Sequence, residues 1–165
     1  AVRIGKLPDS TLVATGIGAI RRVVCASPAY LAAHGAPLEP PDLTGHPCIT
    51  FEGLESARAW TFRSGKSELT VPVHSRLTVN TAEAAITAAI LGVGMTRVLS
   101  YQVADALRDD ALHIVLDTFE PAPSPVSLVH TGQAPRPLKL RAFLDFVTPR
   151  LRTRISSEPA RVTTT

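Results

Sequence analysis

Five histidines and two cysteines are the side chains best suited to metal binding or nucleophilic chemistry in this chain, and their spacing argues against both. His34, His46, His74, His113 and His130 form no i, i+4 pair, and no Cys-x-x-Cys occurs, so no metal-ligating set can be assembled from local sequence. No Gly-x-Ser-x-Gly is present to seat a nucleophile. Gly92-Val93-Gly94 follows a helical pattern and precedes a strand-like one, the wrong order for a dinucleotide-binding loop, and reads as a helix stop with a tight turn. No catalytic group, metal or cofactor is expected.

What remains is recognition by the backbone. Ser27-Pro28, Asn80-Thr81 and Ser100-Tyr101 each follow a strand-like run and open a helical one. The free N–H groups and positive dipole end of such a start suit an anion or a carbonyl. If the strands over 21–26, 77–79 and 95–99 are neighbours, two or three of these starts open onto one cleft. Thr96 and Arg97 then sit near its edge, and Lys6 could face them, so that Lys or Arg pairs with a carboxylate. Ser, Thr and Asn are equally good as plain helix caps.

The elements that would position these residues are legible from periodicity and punctuation. Strands are expected at 1–5, 12–18, 21–26 and 48–51, with a Pro8-Asp9 turn between the first two. Pro28 opens a helix that Gly35 ends, and the prolines 37, 40 and 41 precede a short helical turn at 41–45. A meander over 60–62, 69–73 and 77–79 alternates with period two, and Ser64-Gly65 is its hairpin turn. Asn80 is read as the N-cap of a helix with Glu83 three residues on, a stripe of Ala82, Ala85, Ile86, Ala89 and Ile90, and a stop at Gly92. A strand at 95–99 leads to a helix capped by Ser100 and ending at Arg108, and a strand follows at 112–116. The segment 120–125, with three prolines, reads as a stiff extended connector. After a strand at 126–130, Pro137 opens a final helix with Leu140, Phe143, Leu144, Val147 and Leu151 on one face, which Pro149 should kink or end.

A chain of 165 residues with 45% apolar and 19% charged content can bury a genuine core. Its net charge of +3 is too small and too scattered to mark a nucleic-acid surface. Cys25 and Cys48 sit in apolar runs and are expected to be buried thiols of a reducing compartment. No apolar run approaches a membrane span and no signal peptide is seen. The chain starts without Met inside a strand-like run, as a fragment of a longer protein does. Its middle block, about 22–121, is self-contained. The flanks are too small for a lobe of their own, and two chain crossings between two α/β lobes describe a hinged cleft.

These motifs resemble the effector-binding domain of LysR-type transcriptional regulators. The likeness is carried by residues 1–10 (AVRIGKLPDS), 21–31 (RRVVCASPAYL), 42–49 around Asp42, Gly45 and His46, 76–85 (RLTVNTAEAA), 99–105 (LSYQVAD), 125–130 and 141–146. It runs to about residue 152 and is nearest the branch with Leu-Ser-Tyr-Gln-Val after the central helix. It departs at Asp109-Asp110-Ala111, where relatives often place a Gly, and at Thr131-Gly132-Gln133.

The resemblance implies an α/β fold of the type 2 periplasmic-binding-protein kind, with two α/β subdomains joined by two hinge strands and the first subdomain incomplete. Residues 1–21 and 122–155 would belong to the first subdomain, 22–121 to the second, and 156–165 to a disordered tail. Carried over by position, the effector would touch Lys6 and Leu7, Ser27 and Pro28, Asn80 and Thr81, and Thr96, Arg97 and Val98. The implied function is sensing of a small, anionic metabolite in the cytoplasm, with self-association into a homo-oligomer. DNA would be reached only through a helix-turn-helix absent from this sequence, and no membrane is involved. The incomplete first lobe, with an unpaired sheet edge, favours self-association. A transporter's solute-binding protein shares the fold and remains open, as does, more remotely, a deaminase- or dehydratase-like enzyme on the same scaffold.

Overall fold

The structure is a computed structural model that describes residues 1–7, 12–51, 59–132 and 137–156. Its described residues pack as two compact units. One runs from Ala1 to Ile20 and resumes at Pro123 through the C-terminal helix; the other lies between Arg21 and Ala122.

The 21–122 unit is built on five strands: β3 (Arg22–Ala26), β4 (Pro47–Phe51), β7 (His74–Val79), β8 (Met95–Leu99) and β9 (His113–Val115), in the order β7-β4-β8-β3-β9. β7, β4 and β8 run parallel, while β3 runs antiparallel to both β8 and β9. Side chains alternate across the sheet, so β3, β4, β8 and β9 feed two cores, while the edge strand β7 is largely exposed. Val23, Cys25, Ile49 and Val98 face one way, against Ala82, Ala85 and Ala89 of α2 (Ala82–Ile90) and against Val103 and Leu112. Val24, Ala26, Cys48 and Met95 face the other way. They meet Tyr30 of α1 (Pro28–His34), Leu43 of a 3-10 turn (Pro40–Gly45), and Trp60, Phe62 and Val71 of the hairpin β5 (Ala59–Ser64) and β6 (Ser67–Pro72). Coverage on both faces explains why β3 and β4 read as apolar runs rather than alternations. Gly94 lets β8 start tight against β4, because a Cβ there would run into the Pro47 carbonyl.

The other unit is a three-stranded antiparallel sheet in the order β1-β10-β2, from β1 (Val2–Ile4), β2 (Leu12–Ile20) and β10 (Ser124–Thr131). The helix α4 (Leu138–Ser156) packs along β2. A Cβ on Gly18 would lie 2.7 Å from Ile155 Cγ2, and Arg152 Nη2 donates to the Gly16 carbonyl at 3.1 Å, so β2 meets the helix through its glycines.

Several sequence expectations are corrected here. The N-cap of α2 is Thr81, whose hydroxyl accepts from the Ala84 N–H at 3.1 Å, rather than Asn80. Ser100 does not cap a helix. It opens a 3-10 turn (Ser100–Gln102), and α3 (Ala104–Arg108) starts after it. The hairpin register pairs Ser64 with Ser67, which moves the turn to Gly65 and Lys66. The connector at 120–125 is strand from Ser124, and the Pro125 carbonyl accepts from Gly5 N–H at 2.8 Å. Pro149 lies inside α4 without ending it. Phe143 is 56% exposed and the packed stripe continues instead to Ile155. Ile90 is likewise exposed, and Ala88 takes the buried place. The Pro8-Asp9 turn and the tail from residue 157 lie outside the described residues.

Candidate functional site

The direction of the strands sorts the expected binding residues onto two edges of the 21–122 sheet. Because Phe51 pairs with Val79 and Ile49 with Thr96, the carboxyl ends of β4, β7 and β8 share one edge. Asn80 and Thr81 leave β7 there, Ser100 leaves β8 there, and β3 enters there, since Arg22 pairs with Leu99. Ser27 and Pro28 do not join them. β3 runs the other way, so α1 begins beside the amino ends of β4 and β8. Of the two or three starts expected on one cleft, Asn80-Thr81 and Ser100 share this edge and Ser27-Pro28 lies at the other. Ser27 is a buried cap whose hydroxyl accepts from the Tyr30 N–H at 3.3 Å.

Thr96, Arg97 and Val98 lie within β8 and are buried. The Thr96 hydroxyl donates to the Ile49 carbonyl at 3.1 Å, tying β8 to β4. Arg97 crosses the opposite face, donates from Nη2 to the Thr61 carbonyl at 2.6 Å, and lies 5.0 Å from the centre of the Phe62 ring. Both of these contacts lie on the β5–β6 hairpin. Val98 is fully enclosed with the α2 core. In the other unit, Lys6 and Leu7 are exposed just past β1, after Gly5 turns the chain at φ +101°.

At the carboxyl edge, Asn80 and Thr81 are exposed, and α2 starts there with regular helical geometry. Thr81 takes up the Ala84 N–H through its hydroxyl and the Ala85 N–H through its carbonyl. The N–H groups of Ala82 and Glu83 have no acceptor within the helix, as at any helix start. Two N–H donors and the dipole end can receive a carboxylate or phosphate oxygen.

Three polar groupings escaped the sequence reading. Thr50, Ser75 and Thr78 bring their hydroxyls together across β4 and β7, at 2.7 Å, 3.2 Å and 3.1 Å. Arg21 Nη1 lies 3.1 Å from both carboxylate oxygens of Glu120, a buried pair 99 residues apart in sequence. The Tyr30 hydroxyl is 2.9 Å from His46 Nδ1, and the Tyr30 ring stacks on His34 at 4.4 Å. Burial lowers the pKa of His46, the His34 charge lowers it further, and Asp42 opposes both. The Asp42 carboxylate, although exposed, is held below its usual range by the N–H groups of Glu39 and Leu38. The Thr50–Ser75, Arg21–Glu120 and Tyr30–His46 pairings have no local signature, because each joins elements distant in the chain.

The cysteines are buried on opposite faces of the sheet, and burial pushes both thiols up to about 12. They are poor nucleophiles and poor metal ligands in that state. Among the described residues, no group of three or more His, Cys, Asp or Glu side chains could hold a metal ion. No described helix is long and apolar enough to cross a membrane.

Comparison with known proteins agrees with this architecture. The family model described as the LysR substrate binding domain matches residues 1–152. The chain is 30% identical over 158 residues to the HTH-type transcriptional regulator YhjC of Escherichia coli K12, covering 88% of this chain and 50% of that protein. It is 31% identical to the HTH-type regulator LtrA of Klebsiella pneumoniae, over 89% of this chain and 48% of that one. The chain thus spans about half the length of the curated relatives it matches. Among solved structures, the regulatory domain of AphB from Vibrio vulnificus superposes with a TM-score of 0.79 at 26% identity, covering 88% of this chain and 72% of that one. The regulatory domain of CrgA from Neisseria meningitidis gives 0.75 at 28% identity, covering 91% and 74%. These relatives are named as transcriptional regulators rather than enzymes or transport proteins. The fold is that of type 2 periplasmic-binding proteins, and the chain belongs to the LysR substrate-binding domain family.

Proposed function

We propose that this chain is the effector-sensing part of a cytoplasmic LysR-type transcriptional regulator and binds a small anionic metabolite. It performs no catalysis, acts within a homo-oligomer, and reaches DNA only through a helix-turn-helix outside residues 1–165. The observation that carries the ligand reading is the exposed start of α2 at Asn80-Thr81, on the edge where the parallel strands end. Open α/β sheets take up ligands outside the carboxyl ends of their strands. Two helix N–H groups there favour an oxygen anion. Lys6 and Leu7 stay proposed effector contacts in this reading, and Lys6 is tested by substitution. Ser27, Pro28, Thr96, Arg97 and Val98 act in this reading as supports, since their described contacts hold elements together.

Ligand binding stabilises the folded state by an amount set by ligand concentration over Kd, so a thermal-shift screen reads it directly. Small mono- and dicarboxylates and aromatic acids are tested against the 165-residue chain at neutral pH. At least one acid is expected to raise Tm in a saturable way, and its neutral amide is expected not to. Placing a negative side chain at the site, as Asn80→Asp, should weaken the acid's effect, and Lys6→Ala should weaken it less. An acid-induced shift untouched by Asn80→Asp would remove the ligand from this edge, and no shift across the panel would overturn the anion reading.

A further inference from the structure

The two places where the chain passes between its units are Ile20 to Arg21 and Ala122 to Pro123. On the 21–122 side, both are tied to one residue. The Arg21 N–H donates to the Ser100 hydroxyl at 3.0 Å, and its carbonyl accepts from the Ser100 N–H at 3.0 Å. The Arg21 guanidinium holds both carboxylate oxygens of Glu120 at 3.1 Å. Ser100 is fully buried, the Glu120 side chain is 3% exposed and that of Arg21 is 13% exposed. Ser100 directly follows β8 at the carboxyl edge, the edge where α2 starts.

We infer that Arg21 couples the two chain crossings to the carboxyl end of β8, so that the crossings loosen and tighten together. The geometry supports this in two ways. Ser100 uses its hydroxyl and its N–H on the same residue, so the start of β3 cannot move away from β8 without losing both bonds. Parting a buried carboxylate from a cation that holds both its oxygens is costly, so a shift of the Arg21 guanidinium bears on Glu120. A displacement of the turn after β8 therefore reaches the first crossing through the main chain of Arg21 and the second through its side chain. The use of this clamp in signalling rests on the sensor reading given above; the coupling is a property of the unliganded chain.

Amide hydrogen exchange on the 165-residue chain tests the coupling without any ligand. Ser100→Ala removes the hydroxyl that accepts from the Arg21 N–H at the first crossing. It is expected to raise exchange by roughly 10-fold, the scale of one buried hydrogen bond, at Arg21 and also at the bonded amides of Phe119 and Glu120. The amides of α2 and β4 should keep their protection and serve as the folding control. Arg21→Lys keeps the charge and the main-chain bonds but cannot hold both Glu120 oxygens in the same way. In that background, Ser100→Ala should loosen residue 21 as before and add little at Phe119 and Glu120. A response confined to residue 21 in the Arg21 protein, or an equal response at Phe119 and Glu120 in both backgrounds, overturns the coupling. Failure of every acid in the thermal-shift screen would leave this result standing, so the two ideas fail separately.

Discussion

β8 and β1 are both short and largely apolar, but all five residues of β8 are buried and all three of β1 are exposed. The difference lies in what their sheets carry. β8 sits between β4 and β3 with α2 on one face and a hairpin, α1 and a 3-10 turn on the other. β1 pairs with β10 alone and presents Val2 and Ile4 outward. Local apolarity thus marks a strand without saying how many of its faces are covered. The energetic consequence is that substitutions of one kind should have very different effects in the two units.

The largest contrast is expected for truncation of large apolar side chains. Leu43 is fully buried against the sheet of the 21–122 unit, whereas Phe143 on α4 is mostly exposed. Leu43→Ala should cost about 2–5 kcal/mol, and Phe143→Ala under about 0.5 kcal/mol. Urea denaturation followed by circular dichroism measures both. Comparable losses would mean that Phe143 is covered by a partner in solution, which would sharpen the self-association proposed above.

A second contrast comes from glycine. A Cβ on Gly94 meets the Pro47 carbonyl, backbone that cannot swing away, whereas a Cβ on Gly16 meets nothing within 4 Å. Gly94→Ala should destabilise by about 1–3 kcal/mol through overpacking. Gly16→Ala should be neutral or stabilise by up to about 0.5 kcal/mol through the unfolded chain. Equal midpoints for the two variants would show that β8 does not start as tightly against β4 as described.

These contrasts also show what could be read from the sequence. The helix over 82–90 was legible because alanines recur with helical spacing, and the Ser27-Pro28 start because a cap and a helix-compatible proline stand together. Strand direction was not legible. Nothing local in residues 22–26 says that they run against β8, and that one reversal moves Ser27 and Pro28 away from Asn80 and Thr81. Nor does the sequence show where a long side chain ends. Arg97 reads as a cation beside a binding edge, but its guanidinium reaches Thr61 and Phe62, 36 and 35 positions away in sequence, on a hairpin whose docking is tertiary. The Arg21–Glu120 pair escaped for the same reason.

Within the candidate site, adjacent residues provide a finer comparison. Thr81 supplies the cap bond to Ala84, and Asn80 stands one place before it. Thr81→Ala should cost about 1 kcal/mol, and Asn80→Ala only a few tenths. If an acid is found by thermal shift, the sizes should be read at fixed ligand, because binding adds its own term. A larger loss at Asn80 than at Thr81 in the unliganded chain would restore Asn80 as the cap.

The smallest effect expected is with pH, at His46. Burial lowers its pKa below the ordinary 6.5, with His34 acting in the same sense and Asp42 against it; Tyr30 and Cys48 face the same place, and Arg76 acts on Tyr30. A histidine lowered on folding binds its proton less well folded than unfolded. Its neutral form thus contributes stability that is fully present above about pH 6.5 and is lost as pH falls through the folded value. The neutral ring can accept the Tyr30 hydroxyl proton at Nδ1, and the charged ring cannot. Between pH 8 and pH 5 the wild type should therefore lose more stability than His46→Gln, by less than the cap effect, because the ring is only partly buried. An NMR titration should place the His46 midpoint below 6.5. A midpoint at or above 6.5 would mean that Asp42 outweighs burial and His34, and the acid loss would then have to be sought at another group.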